Sequence, residues 1–266
     1  MAEHSRRPIA GKKRAPKHAP ANGGGGERLH KRIAASGLCS RRAAEELIRE
    51  GRVQVNGKPV IEMGMKVASE DEIRVDGRVL NLPRSQTLLM NKPAGYVTTL
   101  SDPQRRKTVK DLLPDLEAQL KPVGRLDKDT EGLLLFTNDG ELAQRLTHPS
   151  YGIEKEYQVV VHGIPPESSL ERLRKGIYIE GGKTAPAKVQ RVHDDPRKFI
   201  CVLRITIHEG RKHQVRLMFG AIGHPVQSLR RIRIGPLVLK DMPPGACRSL
   251  SKVEVDKLRR LVGLAG

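Results

Sequence analysis

Gly124-Arg125-Leu126-Asp127-Lys128-Asp129-Thr130-Glu131-Gly132-Leu133-Leu134-Leu135 sets a charged, glycine-bounded loop directly before an apolar run. The run extends through Phe136 and is closed by Asp139-Gly140, which reads as a turn. A short apolar stretch bounded by turn residues predicts a buried strand. Loops held at the end of such a strand are where catalytic groups are commonly positioned. The pattern alone leaves several readings open. The acids can be turn-capping groups, or Asp127 and Asp129 can hold a metal, although the further acids that metal sites usually need are not evident.

Thr87-Leu88-Leu89-Met90 reads as a second buried strand, ending at Asn91-Lys92-Pro93. Tyr157 to Val161 and Phe199 to Ile207 read as further strands, and Glu141 to Thr147, Glu167 to Lys175 and Val253 to Leu261 suit helices. Strands outnumber helices and do not alternate regularly with them. That predicts an α+β domain over 85–266 with a mixed, mostly antiparallel sheet, beginning after a linker around Asn81-Leu82-Pro83.

Upstream, Leu29, Ile33 and Ala34 recur at helical spacing, with Gly37 as the stop. Ser40 can cap a second helix whose apolar side holds Ala43, Ala44, Leu47 and Ile48, ending at Gly51. Val53 and Val55 alternate with polar residues, and Asn56-Gly57 is a hairpin signal before Val60. Residues 27–84 therefore form a small module of two helices and a sheet. The basic side chains Arg28, Lys31, Arg41 and Arg42 stand on the two helices. Residues 1–26 carry six Lys/Arg against the single acid Glu3 and end in four glycines. They lack the apolar surface to offset chain entropy and read as a disordered basic tail.

The chain has 266 residues and a formal net charge of +19, which favours a polyanionic partner through counterion release. No apolar stretch is long enough for a membrane span and no signal peptide is evident. Cys39, Cys201 and Cys247 are isolated and read as reduced thiols of a cytoplasmic protein. The histidines show no metal-ligand spacing, and no Gly-rich phosphate loop is present. The chemistry is expected to need neither metal nor cofactor.

The stretches Arg28-Leu29-His30-Lys31, Ser40-Arg41-Arg42-Ala43 and Gly51-Arg52-Val53 to Val55-Asn56-Gly57 resemble an S4 domain, an αL-type module that binds structured RNA. The chain as a whole, roughly Glu27 to Leu250, resembles bacterial rRNA pseudouridine synthases of the RsuA/RluB type. Four blocks carry the likeness. They are Asn91 to Thr98 with Ser101-Asp102-Pro103, the Gly-Arg-Leu-Asp loop with Thr130 and Gly132-Leu133, Glu154-Lys155-Glu156-Tyr157, and Glu209 to Met218 followed by Leu229 to Leu237.

The resemblance implies an S4 domain followed by a pseudouridine synthase domain, acting on ribosomal RNA after flipping the target base. It puts the essential aspartate on Asp127, ahead of Asp129 and Asp139. A carboxylate is already ionised near neutral pH and needs no base to activate it, which suits that role. The resemblance makes Arg216 the partner of that carboxylate and Tyr157 the ring that stacks on the base. Arg125 fills the gap left by flipping, and Val215 is an apolar wall. Lys92, Arg211, Lys212, Arg230 and Arg231 read as RNA-backbone contacts.

The chain departs from the family pattern at Lys212-His213, where Asn-Arg is usual, and at Leu217, where a second Arg is usual. Its His-Gln-Val-Arg form resembles the related RluA-type enzymes. Leu135 to Leu142 with His148-Pro149 looks more like the 23S than the 16S enzymes. The expected partner is therefore 23S rRNA, free or in an assembling subunit, met by a monomer. Two other functions fit the same basic charge. One is a catalytically inactive S4-type ribosome assembly factor. The other is a metal-dependent RNA hydrolase using Asp127 and Asp129.

Overall fold

The computed structural model describes residues 26–114 and 119–265. The expected basic tail lies outside them, Gly26 apart. The chain divides into two compact units at Leu82/Pro83.

In the first unit, helix α1 (Leu29–Ala35) and helix α2 (Arg41–Arg49) pack on strands β1 (Val53–Val55), β2 (Lys58–Val60) and β3 (Ile73–Val75). The strand order is β2-β1-β3, extended by Arg78–Val79, and every pairing is antiparallel. Ser40 accepts a bond from the Ala43 amide and so closes the start of α2. Asn56 and Gly57 both take positive φ, which a tight hairpin turn demands. Leu29, Ile33, Ala44, Ile48, Val53 and Val55 form the core of this unit.

The second unit is built on a nine-stranded sheet. In chain order come β4 (Thr87–Lys92), β5 (Lys121–Val123), β6 (Glu131–Thr137), helix α3 (Gly140–Thr147), β7 (Lys155–His162), helix α4 (Glu167–Arg174), β8 (Lys188–Asp195), β9 (Ile200–Ile207), helix α5 (Gln214–Gly220), β10 (Val226–Ile234), β11 (Cys247–Ser249) and helix α6 (Lys252–Leu261). The main path through the sheet runs β8-β9-β7-β10-β6-β4-β11, with β5 beside β6 and Leu237–Val238 beside β10. All pairings are antiparallel except β10 with β6. The unit thus has the α+β class and the mixed, mostly antiparallel sheet expected from the sequence.

Side chains alternate between the two faces of a strand. On β6, Leu134 and Phe136 join one core with Leu170, Leu173, Val215 and Met218. Leu133 and Leu135 join another with Leu142, Leu146 and Leu258. Helices therefore cover both faces of the sheet's centre, which is why β6 reads as an unbroken apolar run.

Asp139-Gly140, expected to be a turn, instead starts α3. Asp139 accepts bonds from the Glu141 and Leu142 amides and pairs with Arg259 at 2.6 Å. The parallel pairing of β10 with β6 brings Gly132 beside Arg231. A Cβ on Gly132 would lie 2.2 Å from the Arg231 carbonyl oxygen, and its φ is +104°. Only glycine permits this approach, and it sits at the junction between the charged loop and β6.

Candidate active site

The loop between β5 and β6 is held from inside the molecule. Lys92, at the end of β4, is fully buried. Its ammonium lies 3.1 Å from the carbonyl oxygens of Pro93, Asp127 and Lys128, and 2.8 Å from that of Thr130. The Gly95 amide also donates to the Lys128 carbonyl at 2.8 Å. Thr98 clamps Leu126 at both ends, its hydroxyl donating to the carbonyl at 2.7 Å and accepting from the amide at 3.2 Å. The Thr130 amide donates to the Asp127 carbonyl at 3.1 Å, closing the turn.

The backbone carbonyls of Asp127, Lys128 and Thr130 are thus bound to Lys92, and Asp127 lines a cleft of about 320 Å³ with its carboxylate beside His213. Arg125, Asp127, Tyr157, Arg211 and Val215 line that cleft together, as do Thr130, Lys155, Lys212, His213 and Arg231. Burial lowers the Lys92 ammonium to about 8, against the attraction of Asp129, Asp127 and Glu131.

Tyr157 is buried and Val215 is its apolar neighbour in the same core. Arg125 and Lys212 are exposed at the rim. The register pairs Tyr157 with Arg231 across β7 and β10, and the Arg231 guanidinium stands 6.0 Å from the centre of the tyrosine ring.

Several sequence expectations need correction. Arg216 is not the ion-pair partner of Asp127. Its guanidinium is held by the backbone carbonyls of Asp129 at 3.1 Å and Val226 at 3.4 Å. The neighbour of the Asp127 carboxylate is the His213 ring, whose Nε2 lies 3.5 Å from Oδ1. His213 precedes α5 in a left-handed conformation, with φ 53°.

Lys92, expected to contact RNA, has no solvent access and is an internal brace. Arg211 likewise donates to three carbonyls, those of Gly181 (3.1 Å), Gly182 (3.0 Å) and Lys183 (2.6 Å), and pairs with Glu209 at 3.3 Å. It lines the cleft with its donors already engaged. Arg231 is only 3% exposed and donates through Nε to the Leu133 carbonyl at 2.8 Å, so it too is no backbone contact. Arg230, the next residue along β10, is half-buried and does not line the cleft. Arg28, Lys31, Arg41 and Arg42 belong to the first unit, with Arg28, Arg41 and Arg42 exposed and Lys31 half-buried.

Sequence reasoning passed over Lys155 and the buried placement of Arg231. The signal for Lys155 was its position two residues before Tyr157 on a strand, which puts both on one face. Nothing in the sequence marked His213 as the neighbour of Asp127, because that contact depends on the left-handed entry to α5. Among the described residues, no group of three or more His, Cys, Asp or Glu is placed to hold a metal ion. No helix among them is long and apolar enough to cross a membrane.

The profile of the RNA pseudouridylate synthase family matches residues 86–221, and that of the S4 domain matches residues 27–73. Ribosomal large subunit pseudouridine synthase B of Bacillus subtilis is 47% identical over 235 residues, covering 88% of this chain and 96% of that protein. Its namesake in Pseudomonas aeruginosa is 42% identical over 248 residues, covering 90% of this chain and 63% of that one. A crystal structure of a pseudouridylate synthase superposes with a TM-score of 0.63 at 35% identity, over 87% of this chain and 99% of the other. The chain belongs to the RNA pseudouridylate synthase family and carries an S4 domain ahead of its synthase domain.

Proposed function

We propose that this chain isomerises a specific uridine of 23S ribosomal RNA to pseudouridine, with Asp127 as the attacking carboxylate. The observation that carries the reading is the placement of Asp127: a side chain turned into a cleft that also holds a buried tyrosine, on a loop fixed by Lys92. The preference for 23S over 16S rRNA is supported by relatives named as large-subunit enzymes.

The target base leaves the stack and enters the cleft, because its reacting atoms are otherwise hidden. It stacks on Tyr157 against the wall at Val215, while Arg125 at the rim takes the place it left in the RNA. Asp127 attacks the uridine, at ribose C1′ or on the pyrimidine ring. The C1′–N1 bond breaks and its electron pair stays with the base. The base turns and C5 bonds to C1′; the bond from Asp127 breaks, displaced at C1′ by C5 or eliminated from the ring, and its electron pair returns to the carboxylate, while the C5 proton is lost as N1 gains one. Substrate and product are isomers, so no oxidant, reductant or co-substrate enters. A carboxylate is a modest nucleophile, and holding it against the reacting atom supplies much of the acceleration. Arg216 bonds the Asp129 carbonyl from the side of α5 and steadies the loop that carries Asp127.

The S4 unit anchors the RNA through Arg28, Lys31, Arg41 and Arg42, and the +19 net charge draws the polyanion in. The enzyme works in the cytoplasm as a monomer, on free rRNA or on an assembling subunit. The rival reading, an inactive assembly factor, is disfavoured by a cleft that keeps Asp127, Tyr157 and Val215 together.

Mapping pseudouridines in ribosomal RNA from cells with and without this chain tests the proposal. One 23S uridine should lose its modification when the chain is removed. An unchanged map refutes the assignment.

A further inference from the structure

Among the described residues, three polar groups that line the cleft, one of them a single nitrogen of Arg231, have no hydrogen-bond partner. Arg231 is 3% exposed, yet its Nη2 makes no hydrogen bond, and Thr130 at 2% exposure has an equally unpartnered hydroxyl. Lys155 is half-buried, and no hydrogen bond or ion pair engages its ammonium among the described residues. All three line the cleft that holds Asp127.

Their arrangement follows from the sheet. Lys155 and Tyr157 share one face of β7, and Tyr157 pairs across the ladder with Arg231. Burial and the like charge of Arg231 together push the Lys155 ammonium below the ordinary lysine range. Two cations close enough to repel, one of them deeply buried, are costly unless something negative completes them.

The occupant can be argued from depth. Arg125 and Lys212 are exposed at the rim, where a phosphodiester would meet them first. What reaches the buried end is the flipped base. Uracil offers two carbonyl acceptors, O2 and O4. Lysine and arginine can only donate, so cytosine, which presents an amino donor in place of O4, would leave a donor facing a donor. When the C1′–N1 bond breaks, the electron pair stays on the ring and is shared by N1, O2 and O4. If the carboxylate adds at C6 of the ring instead, the charge falls on C5 and O4, so one of the two oxygens still takes it.

Building on the function proposed above, we propose that Lys155 and Arg231 are catalytic residues that donate to the uracil carbonyl oxygens and stabilise the negative charge developing on the base. Thr130 completes the set. The electrostatic effect is preorganised: the donors are fixed by strand positions before substrate arrives, so little reorganisation is needed at the moment of bond breaking.

The test is single-turnover pseudouridine formation on an unmodified 23S rRNA transcript, with RNA affinity measured in parallel. Loss of one such donor typically slows an enzyme by about 100-fold. Lys155→Met should show a loss of that order with RNA affinity within twofold of the parent, and Lys155→Arg should recover most of the rate. In transcripts carrying 2-thiouridine or 4-thiouridine, sulfur accepts hydrogen bonds more weakly. At least one should slow the parent enzyme more than it slows Lys155→Met.

A folded Lys155→Met that keeps its rate within threefold overturns the proposal. So does a rate loss fully explained by weaker RNA binding. If that variant does not fold, the thio transcripts decide on the parent enzyme alone, and a slowing of less than twofold by both overturns the proposal. Absence of pseudouridine with the parent enzyme would instead sink the function on which the inference rests.

Discussion

Replacing Lys92 by methionine keeps the length of the side chain and removes its ammonium. In the parent, three N–H groups serve four carbonyl oxygens, those of Pro93, Asp127, Lys128 and Thr130. A buried carbonyl left without a donor costs about 1–3 kcal/mol. Loop carbonyls recover some water, so roughly two of the four count as orphaned, and relief from burying a cation offsets part of the loss. The net destabilisation is about 2 kcal/mol, equivalent to roughly 4–8 °C in Tm for a unit of this size.

The effect on catalysis should be larger. The same bonds set the direction of Asp127, and a shift of about 1 Å in a reacting group can cost 100-fold in rate. Thermal melting and single-turnover kinetics on 23S rRNA should therefore give a modest fall in Tm and a fall in rate of about 100-fold, with RNA affinity nearly unchanged. A Lys92→Met protein with parental Tm and a rate within twofold of the parent would show that Lys92 does not brace the loop. An affinity loss larger than the rate loss would restore Lys92 as an RNA contact.

Other outcomes follow from the same geometry. Lys92 holds its proton in the unfolded chain up to an ordinary value of 10.5 but releases it near about 8 when folded. The unfolded state therefore binds more protons between these values, and the parent's stability should rise relative to Lys92→Met as pH climbs through that window. Activity should fall over the same range as the neutral amine donates to fewer carbonyls.

Gly132→Ala should cost at least about 3 kcal/mol, through positive φ and collision with the Arg231 carbonyl, read as a large drop in Tm or loss of soluble protein. Glu254 is held at about 2 by Arg248 and the Ser251 cap, below its ordinary 4.5. Its stabilisation is complete above that ordinary value and lost as pH falls toward 2, so Glu254→Gln should melt lower at pH 7 with the gap closing on acidification. Activity should survive a strong chelator within twofold; loss of turnover that added Mg²⁺ restores would favour a metal-dependent reading.

Much of the fold was legible because apolar periodicity and turn chemistry agreed. The S4 helices ran from Leu29 and Arg41 as their spacing and the Ser40 cap required, and Asn56-Gly57 made its hairpin. The strands at Thr87, Leu133, Tyr157 and Ile200 were visible as apolar or alternating runs. Strands β8 and β10 were not read as strands, since Lys188–Asp195 and Val226–Ile234 are rich in charged residues that face solvent or line the cleft.

The site divided along similar lines. Residue type and motif located Asp127, Tyr157 and Val215 in one cleft. Charge alone misplaced Lys92, Arg211 and Arg231, because a cation whose donors meet backbone carbonyls looks in sequence like one that meets phosphate. Arg216 was assigned to the carboxylate, but its guanidinium meets the Asp129 carbonyl, and His213 stands beside the carboxylate instead. A long side chain with several donors takes whichever partner the fold brings near, which composition and spacing do not encode.

The central claim is that one carboxylate performs the isomerisation. Its sharpest measurement compares the parent protein with Asp127→Asn, a neutral side chain of the same shape, by quantifying pseudouridine formed in an unmodified 23S rRNA transcript over a single turnover. The variant should give no detectable product, with transcript binding unchanged within about twofold. Product formed at a rate near the parent's would contradict it.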